Sequence, residues 1–145
     1  MAAPKENIEL VRGFLAAIDE WDFDGMRERL HPDDFVYRIP YSPDWIPSEL
    51  VGREAYIGFA SEWSNAIDGT ENLRDLELDT LASDSDTVIA TYKNEMLIRE
   101  SGYRYKNDLI CIFKIRDGLI VSFDERLDAI PLTIAAGGAI QPPAD

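Results

Sequence analysis

The sequence predicts a single α+β domain. Three observations predict it: helical apolar spacing confined to the first half, a run of strand-like segments in the second, and a length that fits one core. The chain has 145 residues, enough to bury a sizeable core. Apolar residues make up 46% and aromatic residues 10%, so the chain is globular rather than disordered.

The elements follow in order. Residues 5–21 carry Ile8, Val11, Phe14, Leu15, Ile18 and Trp21 at the i, i+3, i+4, i+7 spacing of a helix, and Pro4 sits where a first-turn proline is tolerated. A second short helix is expected at about 24–31, with Phe23, Met26 and Leu30 on one side. Phe35–Ile39 reads as a strand stopped by Pro40. The loop 40–51 holds Pro40, Pro43 and Pro47 together with Tyr41 and Trp45, which predicts an ordered flap or rim. A third helix, about 52–67, places Tyr56, Phe59, Ala60, Trp63 and Ile67 on one face. Strand-like segments then occupy about 73–82, 86–98, 104–116 and 119–129, the last two joined at the hairpin signal Asp117-Gly118. Residues 133–145 are rich in Gly and Pro and read as a tail, which leaves 1–132 as the domain. Helices first and antiparallel strands after give α+β, not α/β.

Charge removes several functions. Lys and Arg total 14 against 28 Asp and Glu, a net charge of −14, which repels nucleic acid and anionic membrane surfaces. The start MAAPKENIE has no apolar signal core, and no stretch reaches the roughly 18 apolar residues that span a bilayer. A soluble, cytoplasmic protein is the expectation. With Cys111 as the one cysteine and His31 as the one histidine, neither an internal disulfide nor a zinc cluster can be built. Cys111 lies in an apolar run and reads as a buried structural thiol; His31 reads as part of a helix exit. No glycine-rich phosphate loop is present. The working expectation is therefore a protein with no metal and no cofactor.

The last hairpin can be registered in two ways. A two-residue turn puts Glu125 on the face of Asp108, Ile110 and Ile112. A three-residue loop with a glycine bulge puts it with Asn107, Leu109, Cys111 and Phe113 instead, and sets Asp108 opposite Arg126 as an ion pair. The second register sorts apolar from polar residues better, and we adopt it. Glu125 then projects from an apolar face between Phe123 and Leu127. Burial raises the pKa of such a carboxyl, and raised carboxyls serve as general acids and bases near neutral pH. A buried pair with Arg38 or Lys93 is the structural alternative.

The stretches Tyr103–Asn107, Phe113–Ile120 and Asp124–Asp128 resemble the C-terminal half of SnoaL-like domains, with their Tyr-x-Asn, their Asp-Gly-x-Ile hairpin and an acidic residue on the final strand. Phe35 to Pro40, followed by Gly52-Arg53-Glu54 opening a helix, is similar to the same family, over roughly residues 6–130. The resemblance implies the nuclear transport factor 2-like fold: a curved antiparallel sheet with three helices forming a cone around an apolar pocket. It also implies a homodimer through the convex face, where Ile110, Ile112 and Ile120 would lie.

Three branches of that family bear on the site. In the phenazine-biosynthesis A/B proteins a last-strand glutamate is the acid/base, matched here by Glu125, while their partner histidine falls near Phe59. Ketosteroid isomerases place an aspartate where this chain has Ile39. Limonene epoxide hydrolases use an Arg-x-Asp on a middle strand with an aspartate on the last, matched in spacing by Lys93-Asn94-Glu95 and Glu125. Alternation on the middle strand turns Lys93 and Glu95 away from the apolar set Val88, Ala90, Tyr92, Asn94 and Met96, whereas the hydrolase resemblance turns them inward.

The combined expectation is a cofactor-independent isomerase, cyclase, dehydratase or lyase for a small hydrophobic, aromatic or polyketide-like substrate. Glu125 would be the acid/base and Arg38 or Lys93 the electrostatic partner. Asn107 and Tyr37 would orient the substrate, and Trp45, Tyr56, Phe59, Trp63 and Phe123 would line the pocket. An epoxide hydrolase using Glu95 and Glu125 is one alternative; a non-catalytic ligand-binding or assembly domain is the other.

Overall fold

In a computed structural model, which describes residues 4–144, the chain opens with α1 (Pro4–Asp19). Pro4 fits its first turn because the N–H that proline lacks would have no intrahelical partner there. Val11, Phe14, Leu15 and Ile18 bury one stripe. Asn7 pins the helix to the far end of the sheet, donating to the Ser85 carbonyl at 2.7 Å and the Asp86 carboxylate at 3.0 Å. The next helix, α2 (Phe23–Arg27), is capped by Asp22, which accepts from the Gly25 N–H at 3.0 Å. His31 has the structural place expected of it: Nδ1 accepts from the backbone N–H of Asp33 and Asp34, at 3.3 and 3.1 Å.

Seven strands form one curled sheet: β1 (Val36–Arg38), β2 (Glu49–Val51), β3 (Ile67–Asp68), β4 (Arg74–Leu81), β5 (Asp84–Ile98), β6 (Arg104–Arg116) and β7 (Leu119–Arg126). Their order is β2-β1-β7-β6-β5-β3, with β4 continuing along the edge of β5 that β3 begins. Neighbours are antiparallel except β1 and β7, which run parallel and set Tyr37 beside Phe123. The proline-rich loop thus contains a strand, β2, that its composition conceals. Helix α3 (Arg53–Ala66) packs Tyr56, Ile57 and Ala60 onto the concave face.

A fourth helix, α4 (Ala129–Ala135), occupies a stretch read from the sequence as strand end and tail. Asp128 caps it by accepting from the Ile130 N–H at 2.9 Å, and Pro131 falls in its first turn, where proline costs little. Leu132 is buried. Regular structure therefore crosses position 132 and ends at Ala135.

The β6–β7 hairpin combines features of both candidate registers. Its turn has two residues, Asp117 and Gly118, both at positive φ (53° and 76°), with Arg116 opposite Leu119. One step later the register shifts: Ile115 faces Ile120 but Lys114 faces Ser122, so Val121 is the extra residue of a bulge. The bulge resets the alternation, and Cys111 lies opposite Glu125 on the concave face. The expected face is correct; the expected three-residue loop is not. Arg126 consequently lies opposite Ile110, with its guanidinium 4.0 Å from Asp124, and the anticipated pair with Asp108 is not made. Ile120 is likewise turned into the core rather than onto the convex face, where Ile110 stands 52% exposed.

Phe14, Phe113 and Phe123 join helix to sheet. The rings of Phe113 and Phe123 stack with centroids 4.6 Å apart, and Phe14 meets both edge-on at 6.0 and 5.5 Å. Among the described residues no helix is long and apolar enough to cross a membrane.

Candidate functional site

The sheet's concave face, α1, α3 and α4 enclose a cavity of about 210 Å³. Helix α3 contributes Tyr56, Phe59 and Trp63, the end of α1 contributes Ile18 and the adjoining Trp21, and Ile46 reaches in from the flap. Leu132 and Ala136 close the side of α4. The sheet supplies aromatic rings (Tyr37, Tyr92, Tyr105 and Phe123) and three polar groups are set among them: Glu125 on β7, Asn94 on β5 and Glu71 in the turn between β3 and β4.

Glu125 is held by Tyr37. The phenol donates to Oε2 at 2.5 Å, a short bond between neighbouring strands β7 and β1. Burial pushes the Glu125 carboxyl above the usual glutamate range, and the Tyr37 hydrogen bond draws it partly back. Burial also drives the Tyr37 phenol well up, with the nearby Glu125 charge adding to it, so Tyr37 keeps its proton and remains the donor. Its ring is fixed by Tyr56 at 4.8 Å and Phe123 at 5.2 Å. A carboxyl with a raised pKa, one oriented oxygen and dry aromatic walls can give or take a proton at a bound molecule.

Glu71 is the group that sequence reasoning missed. It is 8% exposed and faces the same cavity, and among the described residues no hydrogen bond or ion pair reaches its carboxylate. Burial pushes its carboxyl well above the usual range, and the charges of Glu125 and Asp19 push further. The loop that carries it is clamped to the end of α1. The Trp21 indole donates to the Gly69 carbonyl at 2.9 Å, the Glu71 N–H to the Asp19 carbonyl at 3.3 Å, and the Leu73 N–H to the Asp19 carboxylate at 3.1 Å. Asn94 also faces the cavity, as the alternation of β5 predicts, and its Oδ1 has no hydrogen-bond partner among the described residues.

Of the other predicted residues, Tyr37, Tyr56, Phe59, Trp63 and Phe123 line the cavity as expected. Arg38 does not. Tyr37 points inward, so the next residue points outward, and Arg38 bonds Glu49 at 3.0 Å and Asp124 at 3.4 Å. Lys93 is exposed on the convex face opposite Asp108. Glu95, on that face too, is bonded by Arg74 at 2.6 Å and Arg104 at 3.1 Å. On β5 the alternation holds against the hydrolase resemblance. Asn107 is buried but is spent on structure, donating to the Tyr105 hydroxyl and the Asp128 carbonyl (both 2.9 Å) and accepting from the Asp128 N–H at 2.8 Å. Trp45 stays 57% exposed, its indole over Gly138, where an added Cβ would lie 2.8 Å from the ring. Cys111 is the buried thiol expected, donating to the Tyr92 hydroxyl at 3.3 Å. Among the described residues no group of three or more His, Cys, Asp or Glu side chains is arranged to hold a metal ion.

Comparison with known sequences matches residues 11–123 to the SnoaL-like domain. The chain belongs to that family. This SnoaL-like protein is 27% identical to the uncharacterized protein YesE of Bacillus subtilis (strain 168) over 133 residues, 90% of the chain and 87% of YesE. It superposes on a candidate isomerase from Bacillus subtilis with a TM-score of 0.83 and 24% identity, over 95% of this chain and 98% of that one. An LEH-like epoxide hydrolase of M. tuberculosis matches with a TM-score of 0.66 and 20% identity, over 90% and 89% of the two chains. The SnoaL-like domain thus has the nuclear transport factor 2-like fold expected from its sequence.

Proposed function

We propose that the protein is a cofactor-independent acid/base enzyme, an isomerase, cyclase, dehydratase or lyase for a small hydrophobic molecule, working as a homodimer. One observation carries the reading: the Glu125 carboxyl, raised by burial, accepts a 2.5 Å hydrogen bond from Tyr37 inside an aromatic cavity. The similarity to a candidate isomerase supports it. In the forward step Glu125 takes a proton from a carbon beside a carbonyl, and the electrons of that C–H bond move to the carbonyl oxygen. Arg38 and Lys93 lie outside the cavity, so the developing charge falls to neutral hydroxyl donors. Tyr105 and Tyr92 are the candidates, because each lines the cavity with its oxygen already accepting a hydrogen bond, from Asn107 and from Cys111, which leaves its proton for a ligand. Glu125 then returns the proton at another atom, or a leaving oxygen takes it.

The epoxide hydrolase variant needed Glu95 beside Glu125, and Glu95 is bound to Arg74 and Arg104 on the opposite face. A panel of aromatic ketones, lactones and epoxides, followed by mass detection of products, tests the reading. Glu125→Gln should abolish turnover of whichever compound reacts, by at least about a hundredfold, in the range general acid/base groups supply. Circular dichroism should show the fold intact. Full turnover in that variant would overturn the assignment, and binding of the panel without product would leave a binding domain in its place.

A further inference from the structure

The acid/base reading leaves Glu71 and Asn94 without a task. We propose that the pocket is built for a hydrophobic ligand carrying a protonated amine, with Glu71 and Asn94 receiving its N–H groups and Glu125 facing the reacting atoms. For the reacting end of the cavity, this proposal rests on the acid/base reading.

The charged inventory of the cavity is one-sided: Glu71 and Glu125 are its ionisable carboxyls, and its donors are neutral groups such as hydroxyls and an indole. Glu71 presents a carboxylate that no side chain pairs among the described residues, although the residue is 8% exposed. Asn94, 3% exposed on an independent element, presents an Oδ1 with no hydrogen-bond partner among the described residues. Glu125 has one oxygen engaged by Tyr37 and the other open. These oxygens are acceptors turned to the cavity, and Asn94 Oδ1 is fully buried, so a ligand that completes this end of the site brings donors. Among the residues lining the cavity none is Lys, Arg or His. At the Glu71 and Asn94 end a carbonyl oxygen would meet only further acceptors, and a carboxylate would be repelled.

A protonated amine answers each feature. Its N–H groups satisfy Glu71 and Asn94, and its charge compensates the carboxylates. The walls agree, because the aromatic residues Trp21, Phe59, Trp63 and Tyr92 line the cavity, and aromatic rings stabilise organic cations. The clamp of Asp19 and Trp21 on the 69–73 segment holds the acidic group in place before any ligand arrives. At longer range, the net charge of −14 draws cations toward the protein.

Titration calorimetry with matched probes tests this. The probes are 2-phenylethylamine, protonated at pH 7.5, its uncharged carbon isostere propylbenzene, and 3-phenylpropanoate. The amine should bind at least tenfold more tightly than the carbon isostere, and the carboxylate should not bind. Glu71→Gln should remove most of the preference while a thermal melt shows the variant folded. Equal or tighter binding of the isostere, no binding of the amine at millimolar concentration, or an unchanged preference in Glu71→Gln would each overturn the proposal. The two readings fail separately: amine selectivity without turnover of any amine or ketone would overturn the acid/base reading alone, and turnover confined to uncharged compounds would overturn the amine inference alone.

Discussion

Glu71 and Glu125 are more easily protonated in the folded chain than in an unfolded one, because burial penalises their charged forms. The sign follows from linkage. A carboxyl whose folded pKa lies above its unfolded value favours folding fully below the ordinary glutamate range, about 4.3, and that contribution disappears as pH rises through the folded pKa. Each unit of difference is worth about 1.4 kcal/mol. The wild-type melting temperature should therefore fall between pH 5 and pH 8, and Glu71→Gln should fall less and melt higher at pH 8. The gain should be roughly 2–4 °C for each kcal/mol recovered. Equal slopes in a calorimetric pH series would show that Glu71 is paired in solution. Glu125 was legible in the sequence because a charged residue interrupts an alternating apolar face between Phe123 and Leu127. Glu71 was not, because Asp68-Gly69-Thr70-Glu71-Asn72 has the composition of any solvated turn, and its burial comes from a clamp to residues some fifty positions earlier that no local pattern encodes. Arg38 was misplaced for a simpler reason: adjacent residues on a strand cannot both face the pocket, and Tyr37 took that side.

At the level of elements, α4 depends on one side chain. Asn107 binds both the N–H and the carbonyl of Asp128, the residue that caps the helix, and reaches the Tyr105 hydroxyl as well. Asn107→Ala should cost about 2–4 kcal/mol, the sum expected for several buried hydrogen bonds. It should also raise amide exchange selectively across residues 129–135. Uniform exchange with a normal melt would remove Asn107 from this role. The helix was hidden from sequence reading by its short length and by the Gly- and Pro-rich residues after it, and β2 by its neighbouring prolines. Long elements with strong periods, such as α1, α3, β5 and β6, were legible within a few residues. The hairpin lay between these extremes. Its faces followed from apolar sorting, but the location of the extra residue depended on whether Asp117 adopts positive φ, which aspartate does only in particular turns.

For the whole molecule, the convex face presents exposed Ile110 and half-buried Ile112, with Thr91 and Ile89 opposite them on β5 and charged Lys93 and Asp108 next along. If two copies meet there, as the proposed homodimer requires, sedimentation at micromolar concentration should give twice the chain mass, and Ile110→Asp should return it to one chain. A wild-type monomer under those conditions would refute the dimer. The predicted architecture of helices before strands is correct in outline, and the α+β class was legible from chain order alone. The parallel contact between β1 and β7 was not legible, because it joins segments that no hairpin connects.

That contact can form only once both the early and the last strands of the sheet exist. Tyr37 belongs to a three-residue strand near the start of the chain and Glu125 to the last strand, and β1 has its place in the sheet only between β2 and β7. During synthesis most of the pocket walls, α1, α3 and the β5–β6 pair, can exist before the acid/base pair does. The hydrogen bond between Tyr37 and Glu125 closes only when the final strand is added, so a chain stopped before β7 would lack the proposed acid/base pair. Because the pair bridges segments distant in sequence, it forms against the full entropy of closing the chain, among the slowest kinds of contact for a domain of this size.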